Sequence, residues 1–515
     1  MRAVVVGSGF GGLAGAIRLA AAGHDVTVLE QGDRVGGRAA QHVVDGFRFD
    51  GGPTVLTAPF MFEELFALAG ERMADHVQLV ALDPFYRCFA ADGRVLDYRA
   101  DHAEMRAAVT ALSPADAGGY DQLGRRISAI FDAFYPYTER SMMQPQVMLA
   151  MLPYLLQHRA MLDVQRLVDG CVRDPFLRQA LSFHPLLIGG HPARTPALYG
   201  LIMEFERRWG VHCAVGGTGA LVEALAGLLT RLGGQVVTGA RAERIVVRGG
   251  RAVGVRLVDG SVHPAEVVLS NADPGFTYDT LLAEDGRAGA ARARLRLARP
   301  SMSLHVLSFG ADRSWPDSPL LHHNLLFPVE QARELQRVFG PRLARPPAVR
   351  TAGPVPPHPF MYVHVPTRTD PSMAPPGCTA LYVLVAAPAR DAEVDAEQEH
   401  AEVRTRVLDV LEASYLPGLR EHLVAERAIG PQHFRDTLHT PHGAAFSLQP
   451  TLLQSGWFRP HNRSRAVPNV YLVGAGTHPG AGVPAVLASG RIASDLVAAC
   501  AGVTAATAAG SGVRG

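Results

Sequence analysis

The chain contains no lysine, and all 49 of its basic residues are arginines. This absence excludes Schiff-base chemistry on a lysine amine, P-loop phosphate binding and any other catalysis by an ammonium side chain. Acidic and basic residues nearly balance, giving a net charge of +1, which argues against nucleic acid as a partner. At 515 residues the chain is long enough for two or three domains with a sizeable core.

Cysteine is scarce as well. The five cysteines are Cys88, Cys171, Cys213, Cys378 and Cys500. They form no C-x-x-C pair and show no metal-ligand spacing, so we interpret them as reduced packing residues and predict no metal site. The first residues already have the pattern of a strand, and we therefore expect no signal peptide and a cytoplasmic chain.

The amino-terminal segment has the pattern of a strand, a glycine turn, a helix and a second strand. Ala3–Val6 is a short apolar run typical of a strand that is buried on both faces. The turn fits the pattern G-x-G-x-x-G with Gly7, Gly9 and Gly12. A helix is predicted over residues 11–22, and the second strand, Val26–Leu29, ends at the acidic residue Glu30.

Each part of this segment has a role in binding the ADP half of a dinucleotide. The first glycine permits the tight turn, the second lets the backbone approach a pyrophosphate, and the third lets the helix pack close to the strand. The free N–H groups of the helix start face the phosphates. Glu30 is placed to accept hydrogen bonds from ribose hydroxyls, which disfavours NADP.

Two further stretches favour FAD over a nicotinamide cofactor. Gly37 and Arg38 follow the acid, where an arginine can offer a bidentate fork to a diphosphate. Residues 470–490, VYLVGAGTHPGAGVPAVLASG, predict another strand, glycine turn and helix that return to the cofactor. The other predicted FAD contacts are Gly52, Pro53, Thr54, Ala242, Gly474, Gly482 and Val483.

Several motifs resemble those of a known protein family. They are GGHP at 189–192, ERRWGV at 206–211 running into GGTGAL at 216–221, FSLQP at 446–450 and RPHNR at 459–463. Together with VGAGTHPGAGVP near the carboxyl terminus, they resemble bacterial- and fungal-type phytoene desaturases. The resemblance extends from residue 1 to about residue 498 and covers nearly the whole chain.

The resemblance implies FAD as the sole redox cofactor, a membrane-associated enzyme and phytoene, a lipophilic C40 carotene, as substrate. A double bond would form by hydride transfer to the flavin followed by proton loss. The sequence has no second G-x-G-x-x-G between a predicted strand and a predicted helix, as a nicotinamide site requires, so oxygen or a quinone is the implied acceptor. The alternatives are a desaturase of C30 or hydroxylated carotenoids, a carotenoid isomerase or saturase, an amine oxidase, and an isoprenoid-binding chaperone of the same fold. The missing lysine weighs against the amine oxidase.

The predicted fold is α/β, with a discontinuous Rossmann-like FAD-binding domain, a β-sheet substrate domain and a helical membrane-associating insertion. The predicted FAD-binding domain comprises residues 1–75, 210–294 and 445–498; the substrate domain 76–114 and 295–444; the insertion 115–209. Val262–Leu269 is predicted as one strand. The Ala- and Gly-rich tail 501–515 is predicted to be disordered.

A stretch of the insertion suggests contact with a membrane. Ser141–His158 carries no Asp, Glu, Lys or Arg and is interrupted by Pro145 and Pro153. Its strongly apolar part is about ten residues long, too short for a span of roughly 20. It fits either an interfacial helix or an ordinary buried helix, and the family resemblance favours the first. We therefore expect a peripheral protein at the inner face of the cell membrane.

No catalytic residue is fixed by the sequence. Reduced flavin could take the proton, and if a side chain does so, histidine is the natural type. The candidates in motif-bearing stretches are His184, His191, His442 and His478. A histidine that only bonds to backbone in a glycine loop is the alternative for each of them.

Overall fold

In the computed structural model the described residues are 1–143, 145–341, 355–390 and 396–500, so the predicted tail lies outside them. The strands are β1 (Arg2–Val6), β2 (Asp25–Leu29), β3 (Gln41–Val44), β4 (Phe47–Asp50), β5 (Leu79–Leu82), β6 (Tyr86–Phe89), β7 (Val95–Tyr98), β8 (Val211–Ala214), β9 (Gln235–Val237), β10 (Ala242–Arg248), β11 (Arg251–Leu257), β12 (Val262–Pro264), β13 (Val267–Ser270), β14 (Ser303–Ala311), β15 (His323–Leu326), β16 (Met361–His364), β17 (Thr379–Ala387), β18 (Leu423–Ile429) and β19 (Val470–Leu472). The α-helices are α1 (Phe10–Ala21), α2 (Phe60–Ala67), α3 (His102–Leu112), α4 (Ala117–Thr138), α5 (Pro145–Gln157), α6 (Val164–Asp169), α7 (Pro175–Ser182), α8 (Leu201–Trp209), α9 (Gly217–Arg231), α10 (Pro274–Phe276), α11 (Gly289–Arg296), α12 (Gln331–Phe339), α13 (Ala396–Ser414), α14 (Pro431–Asp436) and α15 (Val483–Cys500).

A parallel five-stranded sheet in the order β19-β13-β1-β2-β9 gathers strands from distant parts of the chain. One face of this sheet packs on helices, and the other packs on the antiparallel strands β10 and β11 in a core that includes Val4, Val6, Ile245 and Val255. Helices α1, α9 and α15 pack together on one side. The fold is thus α/β, as predicted, and the first and last segments of the chain meet in one sheet.

The predicted single strand Val262–Leu269 is wrong, because the structure divides it in two. β12 pairs antiparallel with β11, whereas β13 joins β1 and β19 in the parallel sheet. Pro264 ends β12, since proline has no N–H to donate to a continuing ladder. The chain then enters the other sheet with Glu266 N–H donating to the Arg2 carbonyl at 2.9 Å.

A second, seven-stranded sheet in the order β18-β14-β17-β16-β15-β6-β7 forms the other half of the molecule. Its pairs are antiparallel except for β15 with β6. Because side chains alternate between the faces of a strand, β14 and β17 each supply two apolar surfaces. One face packs with α13 in a core that includes Leu307, Phe309, Val383 and Val385.

Helices α4 to α8 follow β7 and precede β8 in the sequence. They pack against the second face of the larger sheet. Among the described helices, α15 alone is long and apolar enough to cross a membrane by length and composition. That helix packs closely on α1. A Cβ added to Gly490 would lie only 2.8 Å from Gly15 N, so the two backbones meet with no room for a side chain.

Candidate active site

One continuous cavity runs from the glycine turns of the parallel sheet to the inner face of the seven-stranded sheet. Its first part is lined by backbone and polar groups at the carboxyl ends of β1 and β2. Its second part, here called the apolar arm, is lined by side chains of β14, β16, β17 and the helices α4, α5 and α8. Ligands of open α/β sheets bind at this edge of the strands.

The first glycine turn is fixed by a hydrogen-bond network on Glu30. Ser8 donates to the Glu30 carboxylate from its backbone N–H at 2.9 Å and from its hydroxyl at 2.5 Å. Gly32 N–H donates to the other carboxylate oxygen at 2.9 Å, and Gly36 N–H donates to the Ser8 hydroxyl at 3.0 Å. The acid that was predicted to hold a ribose therefore also ties the first glycine turn to the second.

Asn271, directly after β13, fills the gap between the amino-terminal and carboxyl-terminal glycine turns. A Cβ on Gly9 would lie 2.7 Å from Asn271 Nδ2, and one on Gly474 would lie 2.7 Å from Asn271 Oδ1. The turns also approach each other directly, since a Cβ on Gly11 would be 2.8 Å from Gly474 N. Only glycine leaves enough space for this approach. Sequence reasoning missed Asn271 because nothing local marks it.

Arg38 is half-buried in the wall of the cavity, and its Nε atom is buried. Burial lowers the pKa of Arg38, and the nearby Asp273 carboxylate opposes this shift. Burial likewise raises the pKa of Asp273. Among the described residues Arg38 Nε has no hydrogen-bond partner. A guanidinium with a buried, unpaired N–H is suited to an anionic ligand such as a diphosphate.

Two side chains of the RPHNR motif stabilise the carboxyl-terminal glycine turn by donating hydrogen bonds to its backbone carbonyls. Arg459, which is 0% exposed, donates to the carbonyls of Thr477 and Ala475 at 3.1 and 2.6 Å. Asn462 donates to the carbonyls of Leu472 and His478 at 3.3 and 2.8 Å. These bonds satisfy buried carbonyls and explain why this motif accompanies the turn.

All of the residues predicted to bind FAD line the cavity, with the exception of Gly12. Those in the lining are Gly7, Gly9, Glu30, Gly37, Arg38, Gly52, Pro53, Thr54, Ala242, Gly474, Gly482 and Val483. Gly12 lies one turn into α1, where a Cβ would be 2.1 Å from the Gly7 carbonyl oxygen. Its position agrees with the packing role assigned to the third glycine of the pattern.

The apolar arm is built from the alternate side chains of the larger sheet. Met302, directly before β14, and Leu304 and Val306 within β14 line the cavity at steps of two. Tyr382, Leu384 and Ala386 of β17 do the same. Helices contribute Phe134, Met151 and Phe205. The period of two places every second residue of these strands on the cavity face. The result is an apolar channel wall that begins beside Thr54 and Tyr362.

A buried carboxylate stands in this apolar wall. Glu206 is 1% exposed and lines the cavity. One of its oxygens accepts a hydrogen bond from the Tyr86 hydroxyl at 2.6 Å, and the other lies 3.0 Å from His184 Nε2. Burial, followed by the Glu206 carboxylate, raises the pKa of Tyr86 well above its ordinary value, so its phenol remains a donor. Glu206 belongs to the ERRWG motif, but sequence reasoning gave it no role.

The four candidate histidines lie in different places. His478 lines the cavity, and burial lowers its pKa to about 3; its Nε2 is 3.0 Å from the Arg140 carbonyl. His184 lies behind the wall and reaches the cavity through Glu206. His191 and His442 are not among the residues that line the cavity. His442 occupies a turn with φ of 58°.

The first part of the cavity fits FAD. Gly7, Gly9 and Gly474 of the glycine turns line it, and the unpaired Arg38 N–H lies in the same wall. Glu30 and Ala242 mark the end suited to ribose and adenine, whereas Gly52, Pro53 and Thr54 mark the end that meets the apolar arm. An extended dinucleotide with a flat ring at one end matches this order of groups.

Comparisons with known proteins agree with this geometry. The family model described as "Flavin containing amine oxidoreductase" matches residues 10–498. The chain is 43% identical to a phytoene desaturase (lycopene-forming) of Pseudescherichia vulneris over 96% of this chain and 99% of that one. It is 41% identical to a phytoene desaturase (lycopene-forming) of Pantoea ananas, over 96% and 98%.

A solved structure of an oxidoreductase from Methanosarcina mazei covers 96% of this chain and 99% of its own, with a TM-score of 0.61 and 19% identity. That likeness concerns the fold alone. The family match, the near full-length identities and the FAD-shaped cavity together show that the chain belongs to the phytoene desaturases, within the flavin-containing amine oxidoreductase family.

Proposed function

We propose that this chain is a membrane-bound, FAD-dependent desaturase that introduces double bonds into phytoene. The observation that carries the proposal is the continuity of the apolar arm with the FAD-binding part of the cavity. A C40 carotene has no polar group to recognise, so shape and apolar contact must position it. The names of the relatives at 43% and 41% identity support phytoene in particular.

The chemistry needs a hydride acceptor, a dry site and a destination for a proton. FAD, when bound, supplies the hydride acceptor. The apolar arm excludes water and holds a polyene with its reacting carbons at the Thr54 and Tyr362 end. Loss of a hydride leaves positive charge on the substrate, and loss of a proton from the neighbouring carbon then completes the double bond.

We assign the proton to Glu206 rather than to one of the candidate histidines. Its carboxylate lines the apolar arm, where a negative charge stabilises a neighbouring cation more strongly than it would in water. Tyr86 and His184 hold its two oxygens and fix its orientation. Each round of desaturation delivers one proton to this carboxylate, which must release it before the next round.

The membrane proposal rests on α5 and the residues after it. Leu149 and Leu156 are 66% and 59% exposed, and four further apolar side chains beside them are exposed: Leu152, Tyr154, Met161 and Leu162. Exposed apolar patches of this kind mark contact surfaces. Met151 of the same helix lines the cavity, so this surface lies beside the apolar arm. A carotene dissolved in a bilayer would enter here.

We further propose that the protein lies at the inner face of the cell membrane and that oxygen or a membrane quinone reoxidises the flavin. Arg140 and Arg159 flank the apolar surface and are exposed. Arginines at such an edge favour anionic lipid head groups. A quinone would share the lipid phase with the substrate, and oxygen is also concentrated in apolar media.

The first prediction concerns the reaction itself. Protein with FAD, mixed with liposomes that contain phytoene, will form more than one new double bond per FAD only when oxygen or a quinone is supplied to reoxidise the flavin. Chromatography with absorbance detection counts the double bonds and identifies the end product; apoprotein is the control. Unchanged phytoene in the presence of bound FAD would contradict the substrate, and geometric isomers formed without an acceptor would indicate an isomerase.

A second prediction concerns the proton acceptor. Glu206→Gln should slow desaturation by about 10²–10⁴-fold, the usual contribution of a general base, while FAD content and thermal midpoint stay close to wild type. Glu204→Gln is the matched control, because Glu204 is on the same helix, equally buried and bound to Arg207 and Arg208 instead of facing the cavity. A Glu206→Gln rate within a few-fold of the control would eliminate this role.

The third prediction concerns the apolar surface. Replacing Leu149 and Leu156 together by Glu should lower partitioning onto anionic liposomes by at least about tenfold, because two apolar side chains lose their burial in lipid. Cosedimentation measures the bound fraction. The matched control replaces Val258 and Leu297, which are 63% and 77% exposed elsewhere, by Glu. Equal losses in both double variants would refute a specific membrane surface.

A further inference from the structure

Three buried histidines converge beside the apolar arm. His322, His323 and His364 are 6%, 1% and 3% exposed. One ring nitrogen from each lies within 4.8 Å of the others. The fold brings them together because β15 and β16 pair antiparallel with His323 directly opposite His364, while His322 immediately precedes β15. In the sequence the two segments are separated by 40 residues, so no motif spacing reveals the cluster.

Two of the three nitrogens on the outer side of the cluster have oxygen partners, whereas His364 Nδ1 has no hydrogen-bond partner among the described residues. His322 Nδ1 lies 2.8 Å from the Thr369 hydroxyl, and His323 Nδ1 lies 2.7 Å from the Tyr362 hydroxyl. Tyr362 in turn lies 2.5 Å from the Thr54 hydroxyl at the cavity wall. Oxygen partners on one nitrogen of a ring are typical of histidines whose other nitrogen binds a metal, because they fix the tautomer and the ring orientation.

On the inner side of the cluster, two ring nitrogens face each other and the third is unpaired. His322 Nε2 and His364 Nε2 are 3.0 Å apart, and His323 Nε2 has no hydrogen-bond partner among the described residues. Leaving a buried nitrogen unpaired costs about 1–3 kcal/mol. Nε2 atoms bound to one ion at 2.0–2.1 Å would stand slightly farther apart than this pair, so a small movement accommodates the ion.

Burial favours the neutral form of the three rings. It lowers the pKa of His322 to about 4 and the pKa values of His323 and His364 well below the ordinary value. Metal binding requires this protonation state. An all-imidazole site without a carboxylate favours zinc and neighbouring transition metals over magnesium or calcium.

We propose that His322, His323 and His364 bind a divalent transition-metal ion of the zinc class. The ion joins β15 to β16 and, through His323 and Tyr362, supports Thr54 at the place where the apolar arm meets the FAD-binding part. The fourth position is left for a solvent molecule, as in other three-histidine sites. The inference depends on this cluster alone and holds whichever carotenoid the protein uses.

The test is zinc retention by the full-length, FAD-loaded protein. Chelator-treated protein is dialysed against buffered Zn²⁺, and bound zinc is counted by mass spectrometry. The wild type should keep about one zinc per chain, and His364→Gln should lose it. His305→Gln is the matched control, since His305 is also buried and lies 3.1 Å from another histidine, His400; it should keep the zinc.

Thr369→Val provides a second variant that leaves all three ligands in place. It should weaken zinc binding by about 10–100-fold, the usual effect of losing an outer partner of a ligand. Zinc should also raise the thermal midpoint of the wild type but not that of His364→Gln. Failure of the folded wild type to retain zinc, or equal retention by wild type and His364→Gln, would overturn the proposal.

Discussion

The structure depends on the close approach of two backbone turns from opposite ends of the chain. Gly9 and Gly11 of the first turn and Gly474 of the last meet around the single side chain of Asn271. This contact needs glycine on both sides, and it needs the parallel sheet that places β1, β13 and β19 next to one another. The start of α1, which no side chain caps, lies at the same edge of the sheet, and this edge is what accommodates FAD.

The second half of the molecule completes the site because side chains alternate between the two faces of its sheet. The larger sheet places one set of side chains in a core with α13 and the other set along the apolar arm. Strand pairing therefore places the end of the apolar arm at the FAD-binding part. Apolar side chains, rather than a polar group, position the substrate there. Within this apolar wall, Glu206 is the exception. Such a buried charge requires partners, which Tyr86 and His184 supply.

The parts of the fold that could be predicted are those encoded locally. A strand, a glycine turn, a helix and an acid within 30 residues identified the first βαβ unit, and the carboxyl-terminal turn was found in the same way. The roles of Asn271, Arg459, Glu206 and the three-histidine cluster come from pairings between distant segments, which the periodicity of one sequence does not encode. The predicted strand at 262–269 was wrong because Pro264 separates two sheets.

The central claim is that the FAD-binding part and the apolar arm form one reaction site. Rapid mixing of the oxidised, FAD-loaded protein with phytoene-containing liposomes, in the absence of oxygen and quinone, tests it most directly. The account predicts a single loss of the oxidised flavin absorption, in step with formation of one more double bond in an equal amount of carotene. Flavin that stays oxidised while phytoene and protein demonstrably share the liposome would contradict it.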